Sequence, residues 1–199
     1  MSTGLTTIAL VGDLMLGRGI SEAARSRAAE EFWGDVLPYL RSADAVIGNL
    51  ESPITTSAVE WRQCWKAFRF AAHPRTADLL RVANIRAVTL ANNHILDRRG
   101  RGLSDTLAHL DAAGIAHAGA GRHIEEAIRP AILDLATLRV GLIALTDTVP
   151  EFAAGPNRPG TNYVRITTSG ASLALIDCLV RDLRRNGAVF SVAIHRRSQ

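Results

Sequence analysis

Lysine is almost missing from this chain. Lys66 stands alone among 23 basic residues, and all the others are arginine. The arginines are scattered, and their local runs (98–101, 184–185 and 196–197) are short. The formal charge is only +4, and no DNA- or RNA-reading motif accompanies it, so nucleic acid is not an expected partner. Cysteine is scarce as well. Cys64 and Cys178 form no CxxC pattern, which excludes a disulfide framework and a zinc ribbon. No apolar run approaches the ~20 residues that span a bilayer, and residues 1–7 lack the apolar core of a signal peptide. As it stands the sequence reads as cytoplasmic, with an anchor upstream of Met1 left open. Internal repeats, low-complexity tracts and linkers are also lacking. What remains is 199 residues, 47% hydrophobic and 21% charged, enough for one domain over 1–199 with a substantial core.

Along the chain, strand-like and helix-like stretches alternate, which predicts an α/β domain. Residues 6–11 (TTIALV) form an apolar, β-branched run that leads into Gly12-Asp13. Residues 21–31 and 32–42 have helical composition and spacing. A strand over 45–47 ends in Gly48-Asn49-Leu50-Glu51, where an extended backbone turns Asn49 and Glu51 to one side. Residues 66–70 (KAFRF) alternate with a period of two, as a strand does. A helix is expected from Pro74 to about Val82, a strand over 87–90 and a helix over 102–113 capped by Gly114. A short strand over 116–118 and a helix near 124–127 follow. Residues 131–135 and 139–145 pair as a hairpin, 150–161 form a loop, 171–185 an amphipathic helix, and 189–194 a last apolar strand that delivers His195.

The stretch Thr89–Asp97 (TLANNHILD) is chemically the richest. It passes from a buried strand into two amides, an imidazole and a carboxylate before a helix begins, which is where open α/β sheets place their chemistry. An asparagine oxygen is a neutral ligand for a hard cation, and the imidazole can ligate or move a proton. Asp97, three residues past His94, is placed to hold one ring tautomer. In isolation Asn-Asn-His reads more readily as a polar loop capping a helix. It is not isolated, because Asp13, Asn49 with Glu51, Asn93 with His94, and His195 stand at four separate strand ends. Carboxylate, amide and imidazole converging from strand ends is how a divalent-metal site is built in such a sheet.

GDLMLGR, GNLESP, KAFRF, LANNHILD, DTLAHLDAAGI and GAG followed by EEAIRP, in that order, resemble the CapA family. Its members are bacterial capsule-synthesis and poly-gamma-glutamate-associated proteins related to calcineurin-like metallophosphoesterases. The resemblance implies a metallophosphoesterase-like sandwich of two mixed sheets flanked by helices. It also implies divalent cations (Mn, Zn, Fe or Mg) held by Asp13, Asn49, Glu51, Asn93 and His195. His94 would be the general acid, oriented by Asp97, while Arg18 and Lys66 would meet an anionic substrate or polymer. Lys66 reads equally as a charge on a strand edge. The implied function is capsule or poly-gamma-glutamate biosynthesis by a metal-dependent phosphoesterase or related transfer. The alternative is a non-catalytic component that binds an anionic polymer or the polymer-synthesis machinery.

Two departures accompany the resemblance. Met15 stands where the related phosphoesterases carry the histidine of Asp-x-His, and a thioether does not replace imidazole on a hard metal. Past His195 the family continues with Trp-Gly and later Gly-His-x-His, whereas this chain runs Arg196-Arg197-Ser198-Gln199. The sequence therefore reads as lacking the C-terminal part of the domain, with weak or no catalysis expected.

Overall fold

A computed structural model describes residues 5–166 and 189–195. Strands β1 (Ile8–Leu14), β2 (Ala45–Leu50), β3 (Ile85–Thr89) and β4 (Ala116–Ala118) form a parallel sheet in the order β1-β2-β3-β4. Parallel strands covered on both faces read as continuous apolar runs, and β2 is buried at every position except Asn49. Helices α1 (Arg18–Ala23), α2 (Leu37–Ser42), α3 (Thr76–Val82) and α4 (Arg99–Ala112) connect the strands. When strand order follows chain order, right-handed crossovers put every connecting helix on the same face. That face holds Val46, Leu50, Ile85 and Val88 against Leu40, Leu79, Leu80, Leu103 and Leu107.

The opposite face is left for a second sheet. There Ile47, Ala87 and Ala118 meet Leu133, Val140, Leu142 and Ala144. The last four belong to β6 (Ala131–Asp134) and β7 (Arg139–Thr146), an antiparallel hairpin as expected. Strand β9 (Val189–His195) extends this sheet parallel to β7, in the order β6-β7-β9. Two dipeptide strands, β5 (Ala120–Gly121) and β8 (Gly160–Thr161), form a small ladder beside α5 (Ile124–Ala127).

Alanines stand among the larger side chains of this contact, and Gly119 shows how tight the packing beside them is. It sits at φ +98°, and an added Cβ would lie 2.6 Å from the Ala144 Cβ and 2.7 Å from the Ala91 Cβ. Gly119→Ala should therefore cost about 2–4 kcal/mol through backbone strain and overpacking together. Urea unfolding measures this, and a variant within about 0.5 kcal/mol of the parent would contradict the inter-sheet packing.

Several expectations change. The first sheet is parallel throughout, so only the second sheet is mixed. Strand β1 runs past the expected end at residue 11 to Leu14, with a register shift between Leu10 and Asp13, and Asp13 stands at its C-terminal end as expected. The helix expected over 21–31 stops at Ala23, and Ala29–Phe32 is a single 3₁₀ turn. No residue of α1 is buried, and a short helix without a packed face gains little from continuing. Residues 66–70 form no strand, because the alternation there answers to a different constraint described below. Gly114 does end α4, at φ +68°. The helix expected over 171–185 lies outside the described residues.

Candidate functional site

The C-terminal ends of β1, β2 and β3 lie side by side, with Asp13 opposite Asn49 and Asn49 opposite Thr89. This register brings three sequence-distant polar groups together. The Asn49 amide nitrogen donates to Asp13 Oδ1 at 2.8 Å. Its oxygen accepts from the Thr89 hydroxyl at 3.0 Å and from the Asn92 amide at 3.1 Å. Both lone pairs of that oxygen are used, so Asn49 works as a brace for Asp13 and does not present its oxygen to a ligand.

Asn92 is the buried amide of the Asn-Asn-His turn. Its oxygen accepts from the backbone N–H groups of His94 and Ile95, both at 3.0 Å. Its nitrogen donates to the Leu50 carbonyl at 2.9 Å as well as to Asn49. One side chain thus ties the turn to the end of β2 and sets His94 beside Glu51. Asn93 enters the cluster through its backbone carbonyl, which accepts from the Lys66 ammonium.

His94 and Asp97 make the expected pair, with the Nδ1 to Oδ2 distance at 2.7 Å. Asp97 does not cap the following helix. Its Oδ2 also accepts from the Phe70 backbone N–H at 2.7 Å, and its Oδ1 accepts from Lys66. An ionised carboxylate can only accept, so the proton in the His94 pair sits on Nδ1. The lone pair is then on Nε2, which lies 3.9 Å from Glu51 Oε1. That separation is too long for a direct hydrogen bond.

Lys66 is neither an edge charge nor an open substrate contact. Only 7% of its side chain is exposed, and none of Asp97. The ammonium serves Asp97 and Asn93, stands 3.4 Å from His94 Nδ1 and lies 5.0 Å from the Phe152 ring centroid. Burial pulls it below the ordinary lysine range, and the hydrogen bond it donates to Asp97 opposes that pull. The KAFRF alternation therefore turns Lys66 and Phe70 toward the Asn93–Asp97 turn. The Phe70 ring packs against the His94 ring at 37°, with centroids 4.3 Å apart, while Phe68 stays 57% exposed.

Arg18 lies outside this buried group, its guanidinium 4.4 Å from the Phe68 ring centroid and 4.9 Å from that of Phe70. His195 ends β9 opposite Thr146, and only the backbone of β9 is described. Sequence reasoning overlooked Asn92, Phe70 and Asp147. Asp147 follows β7 directly and has a buried Oδ1 without a hydrogen-bond partner among the described residues. The strand-end rule that singled out Asp13 would have found it too.

The carboxylates of Asp13 and Glu51 are donors of the kind a hard cation takes. Yet no group of three or more His, Cys, Asp or Glu side chains gathers at metal-binding spacing among the described residues, and the Asn49 oxygen is committed elsewhere. The described residues do not by themselves fit a divalent-metal centre. Calorimetric titration of Mn²⁺ and Zn²⁺ should accordingly give dissociation constants no tighter than about 10 μM, short of a complete structural zinc site. Tight stoichiometric binding would contradict this account of the donors.

Residues 7–198 match the family described as bacterial capsule synthesis protein PGA_cap. The chain belongs to that family. Among curated relatives, the capsule biosynthesis protein CapA of Bacillus anthracis is 28% identical over 78% of this chain and 38% of its own length. A probable polyglutamine synthesis accessory protein of Mycobacterium tuberculosis is 30% identical over 81% of this chain and 52% of its own length. The PGA biosynthesis protein CapA of Bacillus subtilis is 27% identical over 80% and 42%. This PGA_cap chain thus spans about half or less of the length of these relatives. No helix among its described residues is long and apolar enough to cross a membrane.

Proposed function

We propose that this PGA_cap protein serves capsule or poly-gamma-glutamate biosynthesis through the cleft at His94, which holds an anionic substrate group and moves a proton to or from it. The observation that carries this reading is the buried Lys66–Asp97–His94 series, which ends at Nε2 beside Glu51. Asp97 holds the Nδ1–H tautomer and stabilises the imidazolium when Nε2 takes up a proton. Lys66 fixes Asp97 in turn. Phe70 covers one face of the ring and limits access of water to it. The reaction class these groups suit is phosphoester cleavage or a related transfer, in which Nε2 takes a proton from the attacking oxygen or returns one to the leaving oxygen. Two facing sheets with polar strand ends are compatible with a metallophosphoesterase-like fold.

A second reading has its own support. Because the described donors do not complete a metal site, the same cleft would suit a non-catalytic component that binds an anionic polymer or a partner of the synthesis machinery. Turnover of a chromogenic phosphodiester, measured with and without added Mn²⁺ or Zn²⁺, decides between them. Turnover that disappears in His94→Gln supports the first reading. Polymer binding without any turnover under these conditions supports the second.

A further inference from the structure

Residues 53–55 run beside Ala72, tied by the Thr55 N–H to the Ala72 carbonyl at 2.9 Å and by the Ala72 N–H to the Pro53 carbonyl at 2.8 Å. Together with residues of α1 and the start of α4, this pair of segments borders a cleft of about 360 Å³, a size typical of small-ligand sites. Ser21, Arg25, Thr55, Ser57, His73 and Arg98 stand in its wall. The cleft shares no residue with the His94 group, and none of the described residues lining it is acidic.

The hydrogen-bonding capacity of this wall is one-sided. Thr55 is consumed, since its hydroxyl donates to Asp105 at 2.6 Å and accepts from the Ser57 N–H at 3.0 Å. Ser21 Oγ accepts from the His73 N–H at 2.9 Å and Ser57 Oγ from the Val59 N–H at 3.4 Å, so each hydroxyl keeps a proton to donate. His73 Nδ1 accepts from the Arg75 N–H at 3.2 Å, which leaves the ring proton on Nε2. Arg98 is fixed by its Nε on the Phe70 carbonyl and its Nη1 on Glu60 and the Ala58 carbonyl. Its Nη2 makes no hydrogen bond among the described residues. The Arg25 guanidinium meets Glu22 at 3.5 Å, with both side chains more than half exposed, a pairing that water and salt weaken. Each of these side chains therefore offers an N–H or O–H, and none of them is an acceptor alone.

We propose that this cleft binds a phosphomonoester, whose phosphoryl oxygens take the donors of Ser21, Arg25, Ser57, His73 and Arg98. A planar carboxylate has two oxygens, whereas these donors come from α1, the 55–58 loop, residue 73 and the start of α4. A tetrahedral group with three strongly accepting oxygens suits that spread. Arg98 is preorganised by its bonds to backbone carbonyls, so little of its freedom is lost on binding. The volume exceeds that of a phosphate group and leaves space for a small organic remainder. Nothing here depends on the reaction assigned to His94, so either reading can fail alone.

The test is calorimetric titration of the full chain with methylphosphonate, whose P–C bond resists hydrolysis, and with acetate as the planar carboxylate. Methylphosphonate should bind with a dissociation constant of about 1 mM or tighter, and acetate at least about tenfold more weakly. Arg25→Gln should weaken methylphosphonate at least about tenfold and Ser57→Ala about threefold. Arg86→Gln, an equal loss of charge at an exposed position on β3, should change it less than about twofold, and so should His94→Gln. Thermal unfolding of each variant checks that the fold is kept. Equal losses in Arg25→Gln and Arg86→Gln would reduce the effect to net charge and overturn the proposal. Binding lost in His94→Gln would place the ligand in the other cleft and overturn it too. Absence of methylphosphonate binding, or acetate binding of equal strength, would remove the phosphoryl site.

Discussion

Asp97→Ala lowers the unfolding free energy by about 3–5 kcal/mol and the thermal midpoint by about 10 °C. Its carboxylate has no exposed surface and satisfies Lys66, His94 Nδ1 and the Phe70 N–H together. Without it a nearly buried ammonium has no counter-charge, and a backbone donor loses its acceptor. Replacing both charges by apolar groups, in Lys66→Met with Asp97→Leu, should cost less than the single change, since neither charge is then left alone. Urea unfolding of the three proteins reads this directly. A single variant within about 1 kcal/mol of the parent would mean that the Lys66 site is open to water. The pH dependence has a definite sign. Folded Lys66 gives up its proton below the ordinary value of 10.5, so the unfolded chain holds more protons in the interval beneath that value. The contribution of this group to folding therefore becomes more favourable as pH rises through the interval. Asp97→Ala removes a contact that supports the charged form, so the interval should extend to lower pH.

His94→Gln is expected to reduce kcat for phosphodiester cleavage by about 10²–10⁴ while leaving affinity for an anionic ligand nearly unchanged. Glutamine retains bulk and polarity beside Phe70 and Asp97 but cannot take up a proton. Asp97→Asn should approach the same loss by reversing the hydrogen bond to Nδ1 and displacing the lone pair from Nε2. Single-turnover and steady-state kinetics on folded variants separate the two effects. A fall in affinity with kcat intact would instead make His94 a binding residue, and the proton-transfer reading would have to be abandoned.

Much of the fold was legible because it depends on local composition. Apolar runs at 45–47 and 87–90 mark interior parallel strands, since a strand covered on both faces has no polar alternation to hide it, and the β-branched run at 6–11 marks the edge strand beside them. The polar groups just past those runs were legible for the same reason, and Asp13, Asn49, Glu51 and His94 do stand at strand ends. The three-residue step from His94 to Asp97 lies within one turn, so their pairing required no distant information. Six ordered motifs also carry the mark of the family in the sequence itself.

Tertiary structure decided the rest. Period-two alternation in 66–70 looks the same whether it answers to a sheet or to a buried turn 27 residues away, as the hydrogen bond from Phe70 to Asp97 shows. The direction of the Asn49 amide depends on Thr89 and Asn92, about 40 residues downstream, and so does the loss of its oxygen as a ligand. Lys66 carries the same symbol at a strand edge or in a closed site. Only the packing of Phe152, Asn93 and Asp97 around it reveals which. Composition and spacing report what a residue can do. What it is left to do depends on which partners the fold delivers, because a hydrogen-bonding group already satisfied has little left to offer a ligand.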